Sequence, residues 1–275
     1  MKKKGRRLVI LAAVILLMAG FFYWQNNDLG VTEYRYESAK LPAGFDGFTV
    51  VQVSDLHNKA FGKDQSRLLP MIEAAEPDLI IITGDLVDSR RRGSAAALAF
   101  ARGAVGIAPT YYSPGNHEGR IEDIETLYAD LEAAGVTLLL DRAVSLAHNG
   151  DTITLAGATE AAVIRGNGFH TLRGLCEEEF TLLLAHHPEL YETYQKEGFD
   201  LVFSGHAHGG QIRIPGLGGM FSPGQGFFGG YTDGIHSFGE TTLVISRGLG
   251  NSLFPFRVFN RPELVKVVLH MADRP

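Results

Sequence analysis

Phe48-Thr49-Val50-Val51-Gln52-Val53-Ser54 runs directly into Asp55-Leu56-His57. The β-branched content reads as a buried strand, and the polar residues end it. The arrangement recurs along the chain. Asp78-Leu79-Ile80-Ile81-Ile82-Thr83 stops at Gly84-Asp85, and Thr110-Tyr111-Tyr112-Ser113 leads into Pro114-Gly115-Asn116-His117. Phe180–Ala185 ends at His186-His187, and Asp200–Ser204 ends at Gly205-His206-Ala207-His208. Helical spacing covers Gln65–Ala75, Ala95–Val105, Ile121–Ala134 and about Pro188–Lys196, while Ile153–Ala156, Thr242–Ser246 and Glu263–His270 add strands. Strands alternating with helices, without a repeat period, predict one α/β domain built on sheet.

Five strands therefore end in side chains able to bind a metal. In open α/β sheets the carboxyl ends of the strands share one crevice, so groups spread over 150 residues can meet there. Taken singly, each position has a plainer explanation. Asp85 suits a turn or a helix cap, Asn116 suits an Asx turn, and Asp55-x-His57 fits a loop. His206-x-His208 is the stronger signal, because a tight turn brings two imidazoles toward one ion. Five such strand ends together predict a site.

Composition removes other classes. Charged residues are 20% of the chain and aromatics 10%, which excludes global disorder. One cysteine, Cys176, excludes a disulfide framework and a cysteine-based zinc finger. Residues 2–7 hold five basic groups, leaving 20 basic against 31 acidic side chains in the rest, a net of −11. So acidic a body argues against nucleic acid as a stable partner, since binding there needs phosphate-neutralising Lys and Arg.

Behind Lys2, Lys3, Lys4, Arg6 and Arg7 runs Leu8 to Trp24, free of charge and of strongly polar side chains. Seventeen residues can just span a bilayer, and Phe21-Phe22-Tyr23-Trp24 would form the interfacial belt. No small-x-small cleavage pattern precedes Gln25, which favours a single-pass signal anchor over a cleaved signal. Arg6-Arg7 offers little of a twin-arginine signal beyond the dipeptide. Basic flanks stay cytoplasmic, so the rest should lie on the extracytoplasmic side of the cell membrane. The expected division is a basic segment 1–7, a membrane helix 8–24, a polar connector 25–46 containing a short strand, and a domain 47–272.

Asp55-x-His57, Gly84-Asp85, Gly115-Asn116-His117-Glu118, His186 before x-Pro188 and Gly205-His206-x-His208 together resemble the calcineurin-like metallophosphoesterase superfamily. With Gly209-Gly210-Gln211-Ile212 following, the chain looks like the bacterial YkuE/YaeI-type phosphodiesterase branch. The resemblance implies an α/β (α+β) four-layer sandwich of two mixed β-sheets flanked by helices. It implies a phosphoesterase, more a phosphodiesterase than a monoesterase, acting through a metal-bridging hydroxide. One metal would take Asp55, His57, Asp85 and His208, and the other Asp85, Asn116, His186 and His206. His117, off the metals, would act as general acid. Oxygen and imidazole ligands suit Mn, Fe or Zn. The His-x-Pro spacing selects His186 over His187. A membrane anchor adds lipid-linked and cell-envelope phosphoesters to the candidate substrates. A scaffold that keeps the fold without catalysis is the rival reading, although such proteins usually lose ligands and this chain keeps the set. A metallo-β-lactamase-type hydrolase would need a His-x-His-x-Asp-His run, which is absent.

Overall fold

The computed structural model describes residues 3–91, 93–164, 166–178, 180–252 and 254–272; Lys2 of the basic cluster and Arg92, next to Arg90-Arg91, lie outside the described residues. Helix α1, Lys3–Asn27, precedes strand β1, Gly30–Ser38. The first half continues as β2 Thr49–Val53, α2 Leu69–Glu73, β3 Leu79–Thr83, α3 Ala95–Ala104, β4 Thr110–Ser113, α4 Ile124–Ala133 and β5 Thr137–Leu138. The second half holds β6 Arg142–His148, β7 Asp151–Gly157, α5 Glu160–Ile164, α6 Gly168–Arg173, β8 Thr181–Leu184, α7 Tyr191–Glu197 and β9 Leu201–Ser204. Two small hairpins follow, β10 Arg213–Ile214 with β11 Gly218–Gly219 and β12 Phe221–Ser222 with β13 Gly226–Phe227. The chain closes with β14 Gly234–Phe238, β15 Thr241–Ile245 and β16 Glu263–Met271.

Two six-stranded mixed sheets result, ordered β1-β16-β2-β3-β4-β5 and β14-β15-β9-β8-β7-β6. Strand alternation explains why they stack. All five residues of β3 are buried, and successive side chains leave opposite faces. Leu79 and Ile81 join Val50, Leu155, Leu182, Phe203 and Val265 in the layer between the sheets. Ile80 and Ile82 face the other way, against Ile72, Phe100 and Leu131 of the first helix layer. On the far side Leu183, Val202 and Ile245 pack beneath Phe169, Leu172 and Tyr194. Helix, sheet, sheet and helix make four layers, as the resemblance implied. Each such side chain taken out of water contributes roughly 1.5–3 kcal/mol.

The short strand expected inside 25–46 is present, but it belongs to the domain's sheet rather than to a connector. Gly30–Ser38 pairs in parallel with Glu263–Met271 along its whole length, so it is part of the first sheet. Only one face of this edge strand is covered, at Tyr34 and Tyr36, and its outer Glu33, Arg35 and Glu37 give it a linker's composition. The helix expected over Gln65–Ala75 contracts to Leu69–Glu73 behind a 3-10 turn at Lys63–Gln65. Pro70 causes this, because its ring is tolerated only in a first turn.

Candidate metal centre

The carboxyl ends of β2, β3, β4, β8 and β9 open on one crevice where the two sheets meet. The backbone there is unusual. Asp55, His57, Asp85, His206 and His208 all have left-handed φ, between +49° and +65°. Such conformers cost of order 1–3 kcal/mol each and persist only where the surroundings impose them. Hydrogen bonds between the loops do so: Asp55 N–H donates to Gly84 O (3.0 Å), His57 N–H to Asp85 O (3.0 Å) and Gly205 N–H to His186 O (3.1 Å). Glycine is needed beside them for space. A Cβ on Gly84 would sit 2.7 Å from His186 Nδ1, and one on Gly205 would collide with Ser54 Oγ and Asp55 Oδ2.

The side chains converge in two groups that share Asp85. Asp55, His57, Asp85 and His208 bring one ligand atom each within 4.8 Å of the others, and Asp85, His186 and His206 do the same. Asp55 Oδ1 lies 3.3 Å from His208 Nε2 and 3.9 Å from His186 Nε2. Asp85 Oδ2 lies 3.2 Å from His186 Nε2 and 3.6 Å from His57 Nε2. Asn116 adds a buried Oδ1 with no hydrogen-bond partner. His57 Nε2 and His208 Nε2 face each other at 3.1 Å, although at most one proton fits between them.

Electrostatics favour a cation here. Burial, aided by neighbouring imidazoles, holds His206 and His208 well below the usual histidine range, and burial brings His57 down to about 3. Their lone pairs are thus free, the form that ligates metal. Burial lifts Asp55 to about 6. It also pushes Asp85 up, but His186, His57 and His117 outweigh it and leave that carboxyl well below its ordinary value. His186 is the exception: burial lowers it, yet Asp85 and Asp55 raise it to about 10. A positive charge belongs in this crevice. Oxygen and imidazole donors, an orphaned carbonyl oxygen and lone pairs held free by burial fit transition-metal ions.

His117 stands outside both groups. Its ring lies edge-on to His57, with centroids 4.7 Å apart. Its own N–H donates to Asp85 Oδ1 at 2.8 Å. Ser89 N–H donates to His117 Nδ1 at 3.1 Å, which leaves the ring proton on Nε2. Burial lowers its pKa, and Asp88, with Oδ1 3.3 Å from Nδ1, opposes that shift. Arg90 grips Asp88 with two 3.0 Å bonds and so serves the carboxylate behind His117. A cavity of about 570 Å³ opens beside it, lined by Ser89, Arg91, Arg120 and Thr126 among others.

Two roles were not legible beforehand. Glu118, fully buried, accepts from the N–H groups of Asp85 (2.9 Å), Gly115 (2.7 Å) and Val87 (3.2 Å), tying two ligand loops together. Burial raises its carboxyl to about 7. His187 is turned from Asp85 and held between Glu160 (2.8 Å) and Glu189 (3.0 Å). His148, His170, His236 and His270 lie elsewhere, against Phe48, Glu197, Asp233 and Asp46 respectively.

Similarity to known proteins agrees with this geometry. The calcineurin-like phosphoesterase family matches residues 48–210. The chain is 30% identical over 250 residues to the metallophosphoesterase YkuE of Bacillus subtilis, covering 88% of this chain and 85% of YkuE. It is 30% identical over 235 residues to the phosphodiesterase YaeI of Escherichia coli, covering 81% and 82%. It is also 31% identical over 252 residues to a transmembrane protein with metallophosphoesterase domain from Danio rerio, covering 85% of this chain and 55% of that protein. By both measures the chain belongs to the calcineurin-like phosphoesterase family.

Proposed function

We propose that the protein is a membrane-anchored, dinuclear-metal-dependent phosphodiesterase. The observation that carries this reading is the pair of ligand groups sharing Asp85. Asp55, His57, Asp85 and His208 would hold one ion, and Asp85, Asn116, His186 and His206 the other. Ions so placed supply Lewis acidity toward phosphate oxygens and make water a nucleophile near neutral pH. The protein's own groups do the rest. Glu118 keeps the Asp85 and Gly115 loops in register, Asp88 and Ser89 orient His117, and His117, protonated on both nitrogens with Nδ1 facing Asp88, hands its Nε2 proton to the departing oxygen and is left as the neutral ring. Preference for diesters is taken from the similarity to the phosphodiesterase YaeI.

A panel of phosphomonoesters, diesters and lipid pyrophosphates, assayed after chelation and after adding back Mn, Fe or Zn, tests the proposal. Hydrolysis should vanish on chelation, return with metal and be fastest on diesters. Activity that survives chelation would remove the metal from the mechanism, and faster monoester turnover would remove the diester assignment.

Anchoring rests on α1, the one helix among the described residues long and apolar enough to cross a bilayer, with mean hydropathy 2.2. The basic cluster at its start supports a domain outside the cytoplasm, since basic flanks stay cytoplasmic. Protease added to intact cells should digest the domain. Full protection, with an extracytoplasmic control digested, would reverse the orientation.

A further inference from the structure

A band of exposed apolar side chains starts at the end of α1 and continues past the metal centre. Phe21 and Phe22 of α1 lie 5.8 Å and 5.1 Å, ring to ring, from Phe259 and Phe256. Those two remain 55% and 47% exposed. The neighbouring Val258 forms a β-bridge with Ile212, and Arg213 N–H donates to Val258 O at 2.9 Å. The band thereby enters the hairpin of β10 and β11, whose turn exposes Leu217. Met220 N–H donates to Ile212 O (2.8 Å) and Phe228 N–H to Met220 O (3.0 Å), which joins β12 and β13 to it. There Phe221 and Phe227 pack at 5.2 Å, with Phe227 71% exposed. Scattered exposed apolar residues are ordinary, but a contiguous run of them marks a binding or membrane surface.

The bond pattern fixes this band against α1. Gln25, buried, accepts from Asn260 N–H at 3.2 Å, and Asn260 Nδ2 donates to His208 O (2.7 Å) and Gln211 O (3.0 Å). Asn26 Oδ1 accepts from Arg257 N–H (3.1 Å) and Asn251 Nδ2 (2.8 Å). Lys59 bonds Asn26 O, Arg261 pairs with Asp28, and Arg261 also lies over the Trp24 ring at 5.5 Å. The last turn of α1 is therefore clamped to the domain, with Asn260 alone between Gln25 and a ligand of the candidate centre, His208. At about 1.5 Å per residue α1 is roughly 37 Å long, against about 30 Å of hydrocarbon, so its Trp24 end belongs at headgroup level.

We infer that Leu217, Phe221, Phe227, Phe228, Phe256 and Phe259 form a rim that inserts into the bilayer interface beside α1. The rim seats the crevice at the lipid surface, so its substrate is an amphiphile whose phosphoester lies among the headgroups. The occupant is lipid because the band is continuous with a membrane helix. The inference rests on α1 spanning the bilayer, and the test separates the two claims.

The full chain is reconstituted in phosphatidylcholine–phosphatidylglycerol vesicles carrying brominated acyl chains, which quench tryptophan by contact. Trp24 is the only tryptophan, so the unaltered chain reports on the anchor alone. In a Trp24→Phe background, Phe227→Trp and, separately, Phe256→Trp should lose emission to the extent Trp24 does. Met271→Trp should lose none. Met271 ends β16 eight residues beyond Glu263, roughly 26 Å from the crevice end of that strand. Quenching of Trp24 with neither rim position quenched above Met271→Trp would overturn the rim and leave the anchor standing. Unquenched Trp24 would overturn the anchor, and the rim with it. Rim positions shielded from lipid in a chain that runs as a dimer would assign the band to a second copy instead, which also overturns the inference.

Discussion

Asp85→Asn should deplete both metals at once and lower turnover by at least the roughly 10²–10³-fold typical of losing one preorganised stabilising group. The carboxylate is 1% exposed, and its Oδ2 faces His186 Nε2 at 3.2 Å and His57 Nε2 at 3.6 Å, one from each ligand group. Its Oδ1 accepts the N–H of His117 at 2.8 Å. Asparagine keeps the shape and that acceptor but removes the negative charge both ions would share. Elemental analysis should fall from about two ions per chain to fewer than one, while the circular dichroism of the folded chain stays unchanged. His206→Ala, which belongs to only one of the two groups that share Asp85, should spare one ion. A fully active Asp85→Asn protein with both ions retained would end the shared-carboxylate reading. A wild-type enzyme that is fully active with one ion would end the dinuclear reading itself.

Much of the centre was legible because its residues stand at the ends of strands whose composition is unmistakable. Val50-Val51 and Ile80-Ile81-Ile82 are buried on both faces, and the polar residues that stop them have nowhere to go but the common crevice. Gly84 and Gly205 carried a second signal, now explained by the atoms a Cβ would strike. The roles of Glu118 and His187 were hidden for a different reason. Glu118 works through backbone N–H groups of residues 85, 87 and 115, and His187 through Glu160 and Glu189, pairings that local pattern does not encode. Strand β1 was legible as a short strand, but its place in the first sheet was not. An edge strand needs one apolar face only, so Glu33, Arg35 and Glu37 dilute it to the composition of a linker. The glycine-rich stretch after His208 reads as turns between short strands, as the structure has it, but two-residue strands lie below the length at which alternation could place or pair them.

His117→Ala should lower turnover by roughly 10²–10⁴-fold with both metals still bound. The separation of chemistry from ligation follows from where the ring sits. It neighbours His57 and Asn116, yet lies in neither of the groups that share Asp85. The acid is the imidazolium: Asp88, gripped by Arg90 and 3.3 Å from Nδ1, offsets what burial takes from the protonated ring, and the proton available for transfer is the one on Nε2. If that proton goes to the leaving oxygen, the loss must track the leaving group. It should be large for a diester that expels a basic alkoxide and small for one that expels nitrophenolate, which departs without a proton. Asp88→Asn, which leaves the imidazole in place but removes the facing charge, should show the same leaving-group dependence at smaller amplitude. Equal losses on both substrates would strip His117 of the acid role and leave it holding Asp85 through its N–H. Loss of metal from His117→Ala would cut deeper, because it would place the ring among the ligands and redraw the two groups around Asp85.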